Sequence, residues 1–131
     1  MTRGETKLKQ LLIAAALALL PLAAGAHEVA KGPNGGPVVD SGGHHLEMVS
    51  TGAELTIFLS EEDNSPILSA GSKNARAVVQ DGGKTATIPL RPAAPNKLVG
   101  TLAQPLRAGA RVVVSATMPD GHAVQGRFVK N

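Results

Sequence analysis

Period-two alternation of apolar and polar residues runs through nearly the whole chain after residue 35, and it constrains the fold more than any other feature. Successive side chains of a strand point to opposite faces, so alternation assigns one set to a core and the other to solvent. In 53–60, "AELTIFLS", Leu55, Ile57 and Leu59 share one face while Glu54, Thr56 and Phe58 take the other. Similar segments occupy 36–42, 44–50, 75–80, 84–90, 97–102, 110–117 and 122–129, and none beyond residue 26 carries a convincing 3.6-residue period. Turn residues separate them, at Ser41-Gly42-Gly43, Asp81-Gly82-Gly83 and Pro119-Asp120-Gly121, where glycine accepts the positive φ of tight hairpins. The segment 91–95, "RPAAP", cannot be a central strand, because proline lacks the N–H that a ladder needs. Seven or eight short strands with turns about every 8–12 residues predict an all-β fold, an antiparallel immunoglobulin-like β-sandwich.

The residues before this pattern are of another kind. Arg3, Lys7 and Lys9 form a basic start, 11–20 is an unbroken apolar run, and Ala24-Gly25-Ala26 supplies a small-x-small cleavage pattern. This is the layout of a secretory signal peptide, and the apolar run is shorter than the roughly 20 residues that span a bilayer. The expected organisation is a signal peptide over 1–26, a flexible segment over 27–34 and a β-sandwich domain over 35–131. It implies a periplasmic location, with no integral membrane association once the signal is cleaved. Cleavage removes three basic residues and one acidic residue, leaving ten against nine. A near-neutral domain without a basic run gives no reason to expect nucleic acid as a partner.

Composition narrows the chemistry further. Cysteine is absent, which excludes disulfides and thiolate metal sites. Tryptophan and tyrosine are absent and Phe58 and Phe128 are the only aromatic residues, which argues against a base-stacking platform. No serine sits in a GxSxG elbow, the Glu61-Glu62-Asp63 run reads as a solvated loop, and "GPNGG" and "DGG" are turns rather than phosphate loops. The chain is expected to be no enzyme.

Ligand chemistry concentrates in 42–49, "GGHHLEMV". Residues two apart in a strand share a face roughly 7 Å apart. His45 and Glu47 therefore point one way, while His44, Leu46 and Met48 point the other. His45 with Glu47 offers the beginning of a divalent-metal site, and His44 with Met48 a softer pair that suits copper. The competing reading makes Leu46 and Met48 core and leaves His45 and Glu47 solvated. Cleavage after Ala26 would make His27 the first residue, and its free α-amine and imidazole would chelate together, with one further imidazole from His44, His45 or His122; the competing reading is a flexible tail with an incidental histidine. The candidate metal ligands are thus His45, Glu47, His27 and His44, for a copper or zinc ion. His122, after a Pro-Asp-Gly turn, reads as an exposed turn residue, and Met118 either caps the core or lies near His122.

The order Gly35-Gly36, a short strand, "HHLEMV", "AELTIFLSEEDNSPI", "IPLRPAAPNKLVGTL" and a final "GHAVQGRF" resembles the small periplasmic β-domain found at the start of some adaptor subunits of heavy-metal efflux systems of the resistance–nodulation–division class. The resemblance covers roughly residues 35 to 128. It implies a metal site that includes a His-x-Glu strand, matched here by His45 and Glu47, although Asn34 stands where the family's first histidine would be. It also implies a partner among metal efflux or envelope proteins. Two expectations stand side by side: reversible metal binding, and a metal-free interaction module that docks on an envelope partner through a sheet edge.

Overall fold

The computed structural model describes residues 30–131, so the expected signal peptide and His27 lie outside the described residues. Nine strands follow in order: β1 (Val38–Ser41), β2 (His44–Thr51), β3 (Glu54–Glu61), β4 (Lys73–Asp81), β5 (Lys84–Pro89), β6 (Arg91–Ala93), β7 (Lys97–Thr101), β8 (Arg111–Thr117) and β9 (Ala123–Val129). Among the described residues there is no helix. Every pairing is antiparallel, in a five-stranded sheet ordered β1-β2-β3-β7-β6 and a four-stranded sheet ordered β5-β4-β8-β9.

Alternation explains the layering. Leu46 and Met48 of β2, Leu55, Ile57 and Leu59 of β3 and Leu98 of β7 are buried on the inner face of the first sheet. Ala77 and Val79, Val112 and Val114, and Val124 and Phe128 do the same from β4, β8 and β9. Each fully buried aliphatic side chain contributes about 1.5–3 kcal/mol, so this layer supplies the main attraction between the sheets. Phe58 lies half-buried on the outer face, opposite its neighbours Ile57 and Leu59.

The strand beyond the expected seven or eight is the short β6, in the segment that proline bars from a sheet centre. It lies at the edge beyond β7, with Pro92 opposite Leu98, where a missing N–H costs no ladder bond. The chain passes from β5 to β6 through the buried Leu90 and thereby changes sheets. That crossing leans on β7 at Gly100, where a Cβ would stand 2.7 Å from Leu90 Cδ2 and 2.9 Å from the Pro89 carbonyl oxygen. Gly100→Ala should therefore cost about 1–3 kcal/mol through overpacking, read as a lower urea midpoint with an unchanged slope. On the opposite side β1 closes against β9: the Gln125 N–H donates to Ser41 Oγ at 3.0 Å.

Candidate metal centre

His44 is the first residue of β2, placed there by a tight β1–β2 turn. Gly42 and Gly43 have φ of 60° and 86°, the left-handed pair such a turn demands, and Asp40 Oδ1 accepts from the Gly43 N–H at 3.1 Å. Because His44 shares the inward parity of Leu46 and Met48, its ring covers the rim of the sandwich between the sheets. Its neighbour across β2–β3 is Glu61, with Nδ1 3.5 Å from Glu61 Oε2. Nδ1 is buried and has no hydrogen-bond partner among the described residues, a condition that costs about 1–3 kcal/mol when nothing relieves it.

The second sheet brings the β8–β9 turn to the same rim. Gly121, at φ 93°, lets the Met118 N–H reach the His122 carbonyl at 2.8 Å. Asp120 suits such a turn because its carboxylate accepts from backbone two residues on, here the His122 N–H at 2.9 Å. Asp120 Oδ2 also lies 2.8 Å from His122 Nδ1. With the proton on Nδ1 this is an imidazole N–H donating to a carboxylate; an ion held by both groups would take the place of that proton. These two hydrogen bonds, the backbone one first, hold the Asp120 carboxyl below the usual carboxylate range, with His122 and His44 adding charge attraction.

The rim thus assembles two imidazoles and a carboxylate. His44, Asp120 and His122 each offer one ligand atom, all within 4.8 Å of one another, and the two rings lie 6.0 Å apart, centroid to centroid. Donors around a tetrahedral zinc, at bonds of 2.0–2.1 Å, stand roughly 3.3 Å apart. Closure onto an ion therefore needs a contraction of the cluster. The mobile partners are the exposed ones: the side chains of His122 and Asp120 are 72% and 52% accessible, whereas that of His44 is 17%.

Of the residues expected from sequence to bind metal, His44 belongs to this cluster. His45 and Glu47 point to the outer face of β2 as their parity requires, but they are not brought together on a ligand. His45 Nε2 lies 3.8 Å from Asp40 Oδ2 across β1–β2. Glu47 is 3% exposed and is fully engaged elsewhere: it accepts from the Asn34 N–H (2.9 Å), Asn34 Nδ2 (3.1 Å) and the Gly36 N–H (2.8 Å). The segment 31–37 folds over it, held by a Lys31–Pro37 bridge. Gly32 and Gly36 allow that approach, since a Cβ at Gly32 would strike the Glu47 carboxyl and one at Gly36 the Met48 carbonyl. Met118 is buried beside the turn, and His122 is an exposed turn residue, as read from sequence.

A scan of the chain against models of protein families and a search of curated proteins find no match.

Proposed function

We propose that this protein is a periplasmic, non-catalytic metal-binding protein that reversibly holds one zinc or copper(II) ion at the sandwich rim through His44, His122 and Asp120. The observation that carries this reading is the convergence of three potential ligand atoms from opposite sheets within 4.8 Å, one of them on an inward-facing imidazole with an unpartnered Nδ1. Two nitrogens and an oxygen without sulfur suit borderline divalent ions better than copper(I). The frame is read as the immunoglobulin-like kind of sandwich, supported by the sheet changes after β3, β5 and β7. The resemblance to the small domain of heavy-metal efflux adaptors supports a role in metal handling beside an efflux or envelope partner.

Calorimetric titration with zinc(II) and with copper(II) tests the proposal. One-to-one binding that weakens strongly in His44→Ala and is unchanged in His45→Ala is the expected result. No saturable binding of either ion overturns the reading, and loss in His45→Ala alone relocates the site.

The pH dependence has a definite sign. A proton and a metal compete for each imidazole lone pair, so affinity should fall as pH is lowered. Asp120 contributes differently. Its folded-state pKa is lowered, so its interaction with His122 is present above the ordinary carboxylate pKa and lost only as pH falls through the lower folded value. Titrations stepped from neutral to mildly acid pH should therefore show affinity falling while Asp120 is still ionised.

A second reading, the metal-free module, is supported by β5. It is the outer strand of its sheet, and Lys84, Thr85, Ala86 and Thr87 are all exposed along it. An extended partner segment would add there by main-chain hydrogen bonds. Recovery of one defined envelope protein in a pull-down that chelator leaves unchanged would favour this reading.

A further inference from the structure

The charge of the chain is divided along its length. From residue 32 to residue 72 there are six acidic residues and no basic one, whereas from residue 73 to residue 131 there are nine basic residues and two acidic ones. The fold turns this division into a surface. The outer face of the four-stranded sheet carries the side chains that alternate with the core: Arg76, Val78 and Gln80 of β4, Arg111, Val113 and Ser115 of β8, Gln125, Arg127 and Val129 of β9, and Thr85 and Thr87 of β5. It carries three arginines and no carboxylate. Asp81 and Asp120 sit in or beside the hairpin turns, and Asp81 is occupied by Arg107 at 3.1 Å. No ion pair engages Arg76, Arg111 or Arg127 among the described residues.

The registers set the pattern. Arg76 pairs with Ser115 and hence lies in the row of Gln125, Arg127 lies in the next row with Val113 and Val78, and Arg111 in the next with Gln80 and Val129. Ideal strand spacings put Arg111 roughly 8 Å from Arg127 and Arg76 about 12–14 Å from either. Half-buried Val78 and Val113 lie between them.

One corner of this face is hollowed. Between Lys73 and Arg76 the β4 register shifts by one residue against β8, and Asn74 there takes φ 53°. A bulge of this kind redirects side chains. The result is an open recess of about 480 Å³ whose walls include Arg76, Asn74, Ser115, Thr117 and Gln125. A guanidinium beside amide and hydroxyl groups is a set of donors fitted to a carboxylate.

We propose that this face is a docking surface for an acidic protein segment, with one carboxylate of the partner seated in the Arg76 recess and others on Arg127 and Arg111. Charge complementarity selects an acidic occupant. The residue types select protein over lipid: arginine around half-buried valines matches the anatomy of a protein interface, which is enriched in arginine and depleted of lysine. The tryptophan and tyrosine that anchor a protein at a membrane interface are absent from the chain. The recess borders the metal centre, since Ser41 and Ala123 of its wall adjoin His44 and His122, but none of its lining residues is one of the three proposed ligands.

The test is two-dimensional NMR of isotopically labelled protein, expressed from the full chain, titrated with a short oligoglutamate peptide at low and at physiological salt. Shifts should be confined to β4, β8, β9 and Asn74, and should weaken with salt. Each single Arg→Gln substitution at 76, 111 or 127 should weaken binding by about two- to fivefold. The triple variant, checked for an unchanged far-ultraviolet dichroism spectrum and melting temperature, should not bind. Undiminished binding by that variant, or no binding by the native protein, overturns the proposal. So does binding of phosphatidylglycerol vesicles by the native protein without binding of the peptide, which would assign the face to lipid.

Discussion

Replacing His122 with alanine should weaken zinc(II) and copper(II) binding by at least on the order of a hundredfold, more than the tenfold to hundredfold typical of removing an outer partner of a ligand. The folded protein should otherwise be little changed. His122 is exposed, and its side chain makes one hydrogen bond, to Asp120 in the same turn. Surface substitutions of this kind usually stay within about 0.5 kcal/mol. A second readout separates a ligand from a bystander. An ion held between β2 and the β8–β9 turn joins the two sheets, so at a concentration a hundredfold above its dissociation constant it stabilises the native state by about 2.7 kcal/mol. For a domain of this size the melting temperature should rise by roughly 13 °C. His122→Ala should abolish that rise, as should His44→Ala, while His45→Ala should retain it in full. Asp120→Asn keeps an oxygen for the turn but replaces a charged ligand with a neutral amide, a poor ligand for borderline cations, so binding should weaken by at least about tenfold. Equal metal-induced stabilisation in the native protein and in His122→Ala would remove His122 from the site.

What the sequence discloses is parity, and what it hides is proximity. Alternation in 44–48 correctly separates His44 from His45, because the two-residue period of a strand is enforced by the backbone. It also identifies Leu46, Met48, Leu55, Ile57 and Leu59 as a layer, and it excludes 91–95 from any sheet centre. Nothing local says that the β8–β9 turn meets the start of β2. That meeting depends on which strands neighbour one another in two sheets, so Asp120 and His122 read as ordinary turn residues, although the Asp-Gly-His spacing is what lets the carboxylate hold the ring. Glu47 is hidden for a different reason. A carboxylate at an outward position in a strand reads as solvated unless another segment covers it, and the cover here is 31–37, whose glycines look like flexible punctuation. Gly32 and Gly36 are the residues that let this segment lie against Glu47 and the β2 backbone. The arginine face was legible in principle, since the switch from acidic to basic composition near residue 73 is visible in the chain, but only the strand registers place Arg76, Arg111 and Arg127 on one surface.

Glu47→Ala should be the most damaging single polar substitution in the domain, and it should leave the metal centre intact. The carboxylate is buried and accepts three hydrogen bonds from Asn34 and Gly36. Removing it strips the Asn34 and Gly36 N–H groups of their acceptor and opens a void beneath 31–37. The buried Gly36 N–H left unpaired costs about 1–3 kcal/mol and the part-buried Asn34 donors and the void add to it, so a total near 3 kcal/mol is expected, a fall in melting temperature of roughly 15 °C. Glu47→Gln preserves one carbonyl acceptor and the volume, and should lose about half as much. Amide hydrogen exchange gives the local signature: Gly36 and Asn34 should lose protection in Glu47→Ala, while Leu59 and Val114 should lose only what the lower global stability dictates. Zinc titration of the same variant, well below its melting temperature, decides between anchor and ligand. Unchanged affinity and stoichiometry follow if Glu47 ties 31–37 to β2 while the ion sits at the rim. Loss of metal binding in a variant that is still folded would instead place Glu47 at the ion, and the rim cluster of His44, Asp120 and His122 would then lose its claim to the metal.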